Sequence, residues 1–130
     1  MSEVELHHLV VFSFGGERYA LPIAAVREII RYTRPRSVES DLPGVQGVIG
    51  LRGKVIPVVD LAVGDGRDPG NILIVENSAG HIGVVVDAVD EVRTVSADEL
   101  EDVPSTHCTI AKLDDRLVVL VEPESLTAAA

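Results

Sequence analysis

The two halves of this chain resemble each other, and this internal repeat is the strongest constraint on the fold. Residues 9–30 (LVVFSFGGERYALPIAAVREII) lie without gaps on residues 72–93 (ILIVENSAGHIGVVVDAVDEVR) at an offset of 63. At an offset of 62, residues 51–60 (LRGKVIPVVD) match residues 113–122 (LDDRLVVLVE). Valine-rich segments match easily by chance, but two overlays at nearly one offset indicate a duplicated unit of four or five strands.

The repeated unit has the pattern of short β-strands joined by tight turns. Apolar runs rich in β-branched residues are separated by turn-sized spacers. The chain has only two Phe, two Tyr and no Trp. Its core must therefore consist of Val, Ile, Leu and Ala, which suits strands. Residues 24–32 begin like a helical turn and end with β-branched residues, and Ser96 with Glu99 predicts a capped helical turn. The predicted hairpin turns are Gly15-Gly16, Arg52-Gly53 and Asp114-Asp115.

A unit of about 60 residues is only marginally stable alone, and a closed sheet removes exposed edges. The sequence therefore predicts one all-β domain over residues 1–130, built from two small barrels that lean on each other across a groove. The halves are approximately residues 8–61 and 71–126. The Gly- and Asp-rich stretch at 62–70 is the best candidate for the boundary between them.

Charge and composition argue against several classes of function. The 130 residues contain 11 Lys and Arg against 21 Asp and Glu, a formal net charge of −10. This balance argues against binding to nucleic acid or to anionic membrane surfaces. No apolar run approaches the ~18 residues of a membrane span, and the N-terminus lacks a signal-peptide pattern. The single cysteine, Cys108, excludes an internal disulfide and fits a reducing cytosol, so we expect a cytoplasmic protein.

Residues that could carry chemistry do not converge in the sequence. His7 and His8 have the only metal-like spacing, and they lie near the N-terminus. His107 beside Cys108 resembles a base with its nucleophile, but adjacent residues of a strand point to opposite faces. No phosphate-binding or dinucleotide-binding glycine pattern is present. We therefore expect a binding module without catalytic residues, metal or cofactor. A small enzyme using His107 and Cys108 is the alternative from another class.

Arg52 marks the position at which the repeat loses its symmetry. At the offset of 62 it corresponds to Asp114, so the hairpin accepts an acid at this position. Hairpin geometry alone therefore does not require Arg52. The difference predicts that Arg52 has a role outside its own turn.

Four stretches of the chain resemble the CheW family of bacterial chemotaxis coupling proteins and the related regulatory domain of the kinase CheA. They cover most of residues 9–126 in family order. The resemblance implies two intertwined five-stranded SH3-like barrels and no catalysis. It also implies an adaptor that couples chemoreceptor cytoplasmic tips to a CheA-type histidine kinase. A CheW-like scaffold of a pilus or gene-regulatory pathway is the alternative within the family. The stretches are LVVFSFGGERYALPIAAVREIIRY, LPGVQGVIGLRGKVIPVVDL, ILIVENSAGHIGVVVDAVDEV and RLVVLVEPESL.

Carried over position by position, the resemblance also implies which residues bind the receptor. Arg52 would donate hydrogen bonds at the edge of an apolar groove that holds a receptor helix. Contacts with CheA are expected at the barrel ends. The chain departs from the family pattern at Gly50, where Asn is usual, and in the compressed segment AVGDGRDPG (62–70). The implied receptor-binding residues are Val26, Glu28, Gly47, Arg52, Val85 and Val86.

Overall fold

The computed structural model describes residues 6–37, 45–60, 69–103, 108–114 and 116–126. Within these ranges the chain forms eleven β-strands and three 3₁₀ turns. The strands are β1 (Leu6–Phe14), β2 (Glu17–Pro22), β3 (Val26–Arg31), β4 (Val45–Leu51), β5 (Lys54–Asp60), β6 (Asn71–Asn77), β7 (Gly80–Val86), β8 (Ala88–Ser96), β9 (Leu100–Val103), β10 (Cys108–Leu113) and β11 (Arg116–Leu120). The 3₁₀ turns are Ile23–Ala25, Ala97–Glu99 and Pro123–Ser125.

Both segments in which the sequence suggests a helical turn combine such a turn with a strand. The turn Ile23–Ala25 leads directly into β3. The turn Ala97–Glu99 leads into β9, and the backbone N–H of Ser96 donates to the Glu99 carboxylate at 3.1 Å, as the capping pattern predicts. Residues 104–107, which include His107, lie outside the described residues.

The strands form two sheets, and each sheet takes strands from both halves of the chain. Sheet A has the order β8-β1-β2-β11-β10-β9, and sheet B has the order β3-β6-β7-β5-β4. The first half supplies the hairpin β1-β2 to sheet A, and the second half supplies the hairpin β6-β7 to sheet B. Each sheet is completed by strands of the other half. The predicted all-β fold with an intertwined repeat is therefore confirmed.

The pairing registers confirm the repeat residue by residue. β11 runs parallel to β2 with Leu120 opposite Ala20, and β5 runs parallel to β7 with Val58 opposite Gly83. The two pairs are equivalent in the repeat, because Val58 corresponds to Leu120 at the offset of 62 and Ala20 corresponds to Gly83 at the offset of 63. Both halves also carry a β-bulge at the same place. The pairing of β3 with β6 skips Arg27, and the pairing of β1 with β8 skips the matching residue, Asp90.

Sheet A has six strands rather than the expected five because of β9. This strand pairs with β10 over four residue pairs, from Leu100 to Val103. Among the described residues of the first half, Arg36 and Val48 form a bridge at the corresponding place.

Among the described residues, buried side chains form three hydrophobic clusters. One lies within each sheet, and the third joins the sheets with side chains from both halves. Phe12, Phe14 and Tyr19 stack in or against this joining cluster, with the rings of Phe14 and Tyr19 4.1 Å apart. Because its members come from both halves of the chain, separating the halves would expose these side chains to water. Its buried members are Phe12, Phe14, Leu21, Val59, Leu73, Val75, Ile82, Val84, Val86 and Leu126.

Candidate functional site

Arg52 lies at the tip of the hairpin that joins β4 to β5. Leu51 pairs with Lys54, so the turn consists of Arg52 and Gly53 alone. Both have positive φ, +52° and +78°, as in the type I′ turns that match the twist of two-residue hairpins. Glycine adopts this conformation freely, whereas for arginine it is uncommon. The turn holds the Arg52 side chain, 77% exposed, at the outer end of sheet B.

Arg52 forms a two-point ion pair with Glu28 of β3. Its Nε and Nη2 atoms donate to the two carboxylate oxygens at 3.2 and 3.0 Å. The hydrogen bonds from Arg52 lower the pKa of the Glu28 carboxyl below its ordinary value of 4.5, and Glu28 raises the pKa of Arg52. Both groups are therefore charged at neutral pH. The pair ties the hairpin tip to a strand 24 residues earlier and gives Arg52 a role outside its own turn.

The ion pair borders a concavity of about 190 Å³ on sheet B, called concavity B below. Ile56 and Ile74 belong to the sheet B core and form its apolar floor. At its rim Arg27 donates two hydrogen bonds to Glu76, at 2.8 and 3.1 Å. Only strands and the hairpin of sheet B line it, so Arg52 borders one sheet rather than a groove shared by both. The lining residues are Arg27, Glu28, Leu51, Arg52, Lys54, Ile56, Ile74 and His81.

Val26 precedes this ion pair on β3. Its side chain is partly buried and packs against the cluster that joins the two sheets. Along β3, Val26, Glu28 and Ile30 are half-buried, whereas Arg27, Ile29 and Arg31 are exposed. The structure therefore brings Val26, Glu28 and Arg52 into one region.

Gly47, Val85 and Val86 lie apart from this region. A Cβ on Gly47 would sit 2.2 Å from the carbonyl oxygen of Arg36, so glycine permits the close approach of this segment to β4. Val85 is 3% exposed in the sheet B core, and Val86 is fully buried in the joining cluster. These residues present no exposed side chain to a partner. Their part in receptor binding stays a prediction.

The second half has a tethered hairpin tip with reversed charges, which sequence reasoning missed. Asp114 has a φ of +49°, close to that of Arg52, and it is 73% exposed. Its carboxylate accepts two hydrogen bonds from Arg93 of β8, one of them 3.2 Å long. Arg93 holds the pKa of Asp114 below its ordinary value of 3.8. The signal in the sequence was an arginine two residues after Glu91, the counterpart of Glu28.

A second concavity, called concavity A below, accompanies the Asp114 tip on sheet A. Its volume is about 350 Å³. Three arginines and two acidic residues border it, and the buried apolar residues Val11, Leu113 and Val118 complete its lining. The full set of lining residues is Val11, Arg18, Glu91, Arg93, Leu113, Asp114, Arg116 and Val118.

The residues considered for other chemistry do not assemble a site in the part of the chain that the structure describes. There, no three His, Cys, Asp or Glu side chains are placed to hold a metal ion. His8 Nδ1 lies 2.9 Å from the Thr94 hydroxyl. Cys108 begins β10, whereas its neighbour His107 is outside the described residues. No described helix is long and apolar enough to cross a membrane.

Comparison with known proteins agrees with this fold. The sequence model of the CheW-like domain family matches residues 8–130. The chemotaxis protein CheW of Klebsiella aerogenes is 29% identical over 92% of this chain and 81% of its own length. That of Bacillus subtilis is 32% identical over 74% of this chain and 65% of its own length. The crystal structure of the scaffolding protein TtCheW from Thermoanaerobacter tengcongensis superposes with a TM-score of 0.80 and 31% identity, over 91% of this chain and 85% of that one. The chain therefore belongs to the CheW-like domain family.

Proposed function

We propose that this protein is a non-catalytic chemotaxis adaptor, which acts in the cytoplasm and couples chemoreceptor tips to a CheA-type histidine kinase. Its membership of the CheW-like family, whose curated relatives are chemotaxis proteins, supports this role. The observation that carries the receptor-binding part is the Arg52–Glu28 ion pair at the edge of concavity B.

The ion pair prepares Arg52 to bind a partner. A guanidinium group has five N–H donors, and Glu28 engages only Nε and one N–H of Nη2. Glu28 does not engage the remaining donors of Arg52, which can therefore bind a carboxylate or the terminal carbonyls of a helix. Because Glu28 already restrains the long Arg52 side chain, binding loses less rotamer entropy.

Concavity B also offers apolar contact to a helix. Leu51, Ile56 and Ile74 line it beside the charged rim. A helical hairpin that places a branched side chain on this floor and an acceptor beside Arg52 would match both features. Val26 would extend the contact along β3, toward the joining cluster.

For the kinase we propose the open end of sheet A. A concavity of about 600 Å³ lies there between β1, the turn Ile23–Ala25, β9 and β11. Its lining is mostly apolar and includes Leu6 and Ile23, which are 55% and 43% exposed. Exposed apolar side chains around one concavity are typical of a protein interface. The strands that line it belong to sheet A, whereas Arg52 lies at a hairpin tip of sheet B.

Co-purification tests the proposal directly. The protein, the regulatory domain of the cognate kinase and a helical-hairpin fragment of the cognate receptor tip are mixed pairwise and together. We expect each pair that includes this protein, and the ternary mixture, to co-elute in size-exclusion chromatography. Failure to bind either partner at concentrations of about 100 µM would contradict the adaptor role, since specific transient contacts are detectable in that range.

A further inference from the structure

Lys54 lies at the rim of concavity B, next to the turn that holds Arg52. It begins β5, and its side chain is exposed. Leu51, the last residue of β4, is its partner across the hairpin. Directly opposed residues of an antiparallel pair point to the same face, and both of these side chains line the concavity. Because Leu51 is partly exposed, a cation and an apolar side chain stand side by side here.

The acids around concavity B are already engaged by other cations. Glu28 accepts two hydrogen bonds from Arg52, at 3.2 and 3.0 Å. Glu76 accepts two from Arg27, at 2.8 and 3.1 Å. Lys54, by contrast, forms no ion pair within 4.0 Å with any residue that the structure describes. Lys54 therefore carries the positive charge that the acids of this site leave unbalanced.

The equivalent cation of the second half is offset by an acid. At the offset of 62, Lys54 corresponds to Arg116, which lines concavity A. The hydrogen bonds from Arg93 lower the pKa of the tip residue Asp114, and the charge of Arg116 adds to this effect. In concavity B the tip position holds Arg52, another cation. Both halves thus have a cation at the start of the second hairpin strand, and only in the second half does an acid at the tip offset it.

We propose that Lys54 is a specificity-determining residue of concavity B, and that it binds a carboxylate side chain of the receptor-tip helix. This inference rests on the proposed function of concavity B and names the chemistry of the helix that docks there. The carbonyl end of a helix carries only about half a negative charge. A carboxylate carries a full charge, which balances the ammonium group of Lys54 and accepts its N–H donors.

The spacing of Leu51 and Lys54 restricts where that carboxylate lies on the helix. Opposed residues of an antiparallel pair have Cβ atoms about 4.5–5.5 Å apart. On an α-helix, residues three or four positions apart have Cβ atoms about 5–6 Å apart. A receptor helix that places an apolar side chain on Leu51 therefore reaches Lys54 with a residue three or four positions away. We expect a glutamate or an aspartate at that spacing.

Titration calorimetry with the cognate receptor-tip fragment tests the role of Lys54. Lys54→Gln removes the charge and keeps a polar side chain, so we expect the affinity for the fragment to fall on the order of threefold to tenfold. Lys54→Arg keeps the charge and should bind nearly as well as the wild type. Neither variant should change the melting temperature or the affinity for the kinase regulatory domain.

Lys112→Gln is the matched control. Lys112 is also an exposed lysine of a hairpin, but it lies on sheet A, where it pairs with Glu101 at 3.0 Å. The control makes the same change in net charge as Lys54→Gln. It should leave receptor binding unchanged.

A double-mutant cycle identifies the carboxylate that Lys54 binds. Each acid of the receptor fragment that lies three or four residues from an apolar residue is replaced singly by its amide. With one of these fragments, the wild type and Lys54→Gln should bind equally weakly, because the pair is already broken. A purely structural effect of Lys54→Gln would instead weaken the binding of every fragment by the same factor.

Unchanged receptor affinity of a folded Lys54→Gln variant would overturn this inference. A loss of the same size with every fragment of the cycle, or an equal loss with Lys54→Arg, would also overturn it. In each of these cases the proposed function stands if Arg52→Glu weakens receptor binding, and only the role of Lys54 is rejected. If the wild type does not bind the fragment at all, the proposed function fails as well.

Discussion

Arg52 and Asp114 occupy the same position of the repeated hairpin, with φ of +52° and +49°, and they carry opposite charges. Each forms a two-point ion pair with a strand of its own half. Arg52 donates to Glu28, and Asp114 accepts from Arg93. The fold thus fastens both tips in the same way, and the sign of the exposed charge is what differs.

Arg52→Glu should keep the fold and weaken receptor binding. The new acid faces Glu28 and the approaching receptor acceptor, so we expect the affinity for the receptor-tip fragment to fall roughly tenfold or more. Binding to the kinase regulatory domain should be unchanged. Titration of both partners measures the contrast, with Arg34→Glu as a control that makes the same change in net charge.

The double variant Glu28→Arg with Arg52→Glu distinguishes two roles of Arg52: the ion pair that holds the hairpin tip, and the contact with the receptor. The swapped pair has the polarity seen at Arg93 and Asp114, so we expect the melting temperature to recover relative to Arg52→Glu alone. Receptor binding should stay weak because the exposed donor is gone. Full recovery of binding would show that the tether, rather than the charge of Arg52, matters to the receptor.

Acid should remove the stabilisation that the two tethers give. The pKa values of Glu28 and Asp114 are lowered from 4.5 and 3.8, so the pairs stabilise the fold fully above those values. This contribution is lost as the pH falls through the folded-state pKa values. Thermal unfolding of the wild type and of Glu28→Gln with Asp114→Asn, from pH 7 to pH 3, measures it. The difference in melting temperature between the two proteins should shrink as the pH falls. A difference that stays constant with pH would contradict this role of the ion pairs.

Gly47→Ala should destabilise the protein by about 2 kcal/mol or more, since the added Cβ would sit 2.2 Å from a backbone oxygen of Arg36. Gly50→Ala is the matched control in the same strand. No atom lies within 4 Å of a Cβ placed there, so we expect a change within about 0.5 kcal/mol. Chemical denaturation of both variants gives the comparison. Equal effects would show that the close approach of Arg36 is not what constrains Gly47.

Neither half should fold alone. A cut within residues 62–70, most of which lie outside the described residues, leaves two fragments that each lack partners for strands in both sheets. We expect each fragment alone to give a poorly dispersed NMR spectrum and no cooperative melt. Mixed together, they should recover a dispersed spectrum. A cooperative melt of either fragment by itself would contradict a fold in which each sheet needs strands from both halves.

The sequence determined the local structure. The repeat placed β1 over β6, β2 over β7 and β3 over β8, and it located the turns at Gly15 and Arg52. These features depend on apolar alternation and turn chemistry, which act over a few residues. The family motifs likewise pointed to Glu28 and Arg52, which the structure joins in one ion pair.

Only the tertiary structure decided which half completes each barrel. Because the halves are alike, β2 has similar candidate partners in β5 and β11, and the pattern of one strand cannot distinguish them. The structure pairs β2 with β11 and β7 with β5. Burial of the joining cluster, which requires side chains from both halves, determines this choice of strand partners. The same non-local packing places Arg93 beside Asp114 and buries Val85 and Val86, since side-chain partners and burial depend on which strands meet.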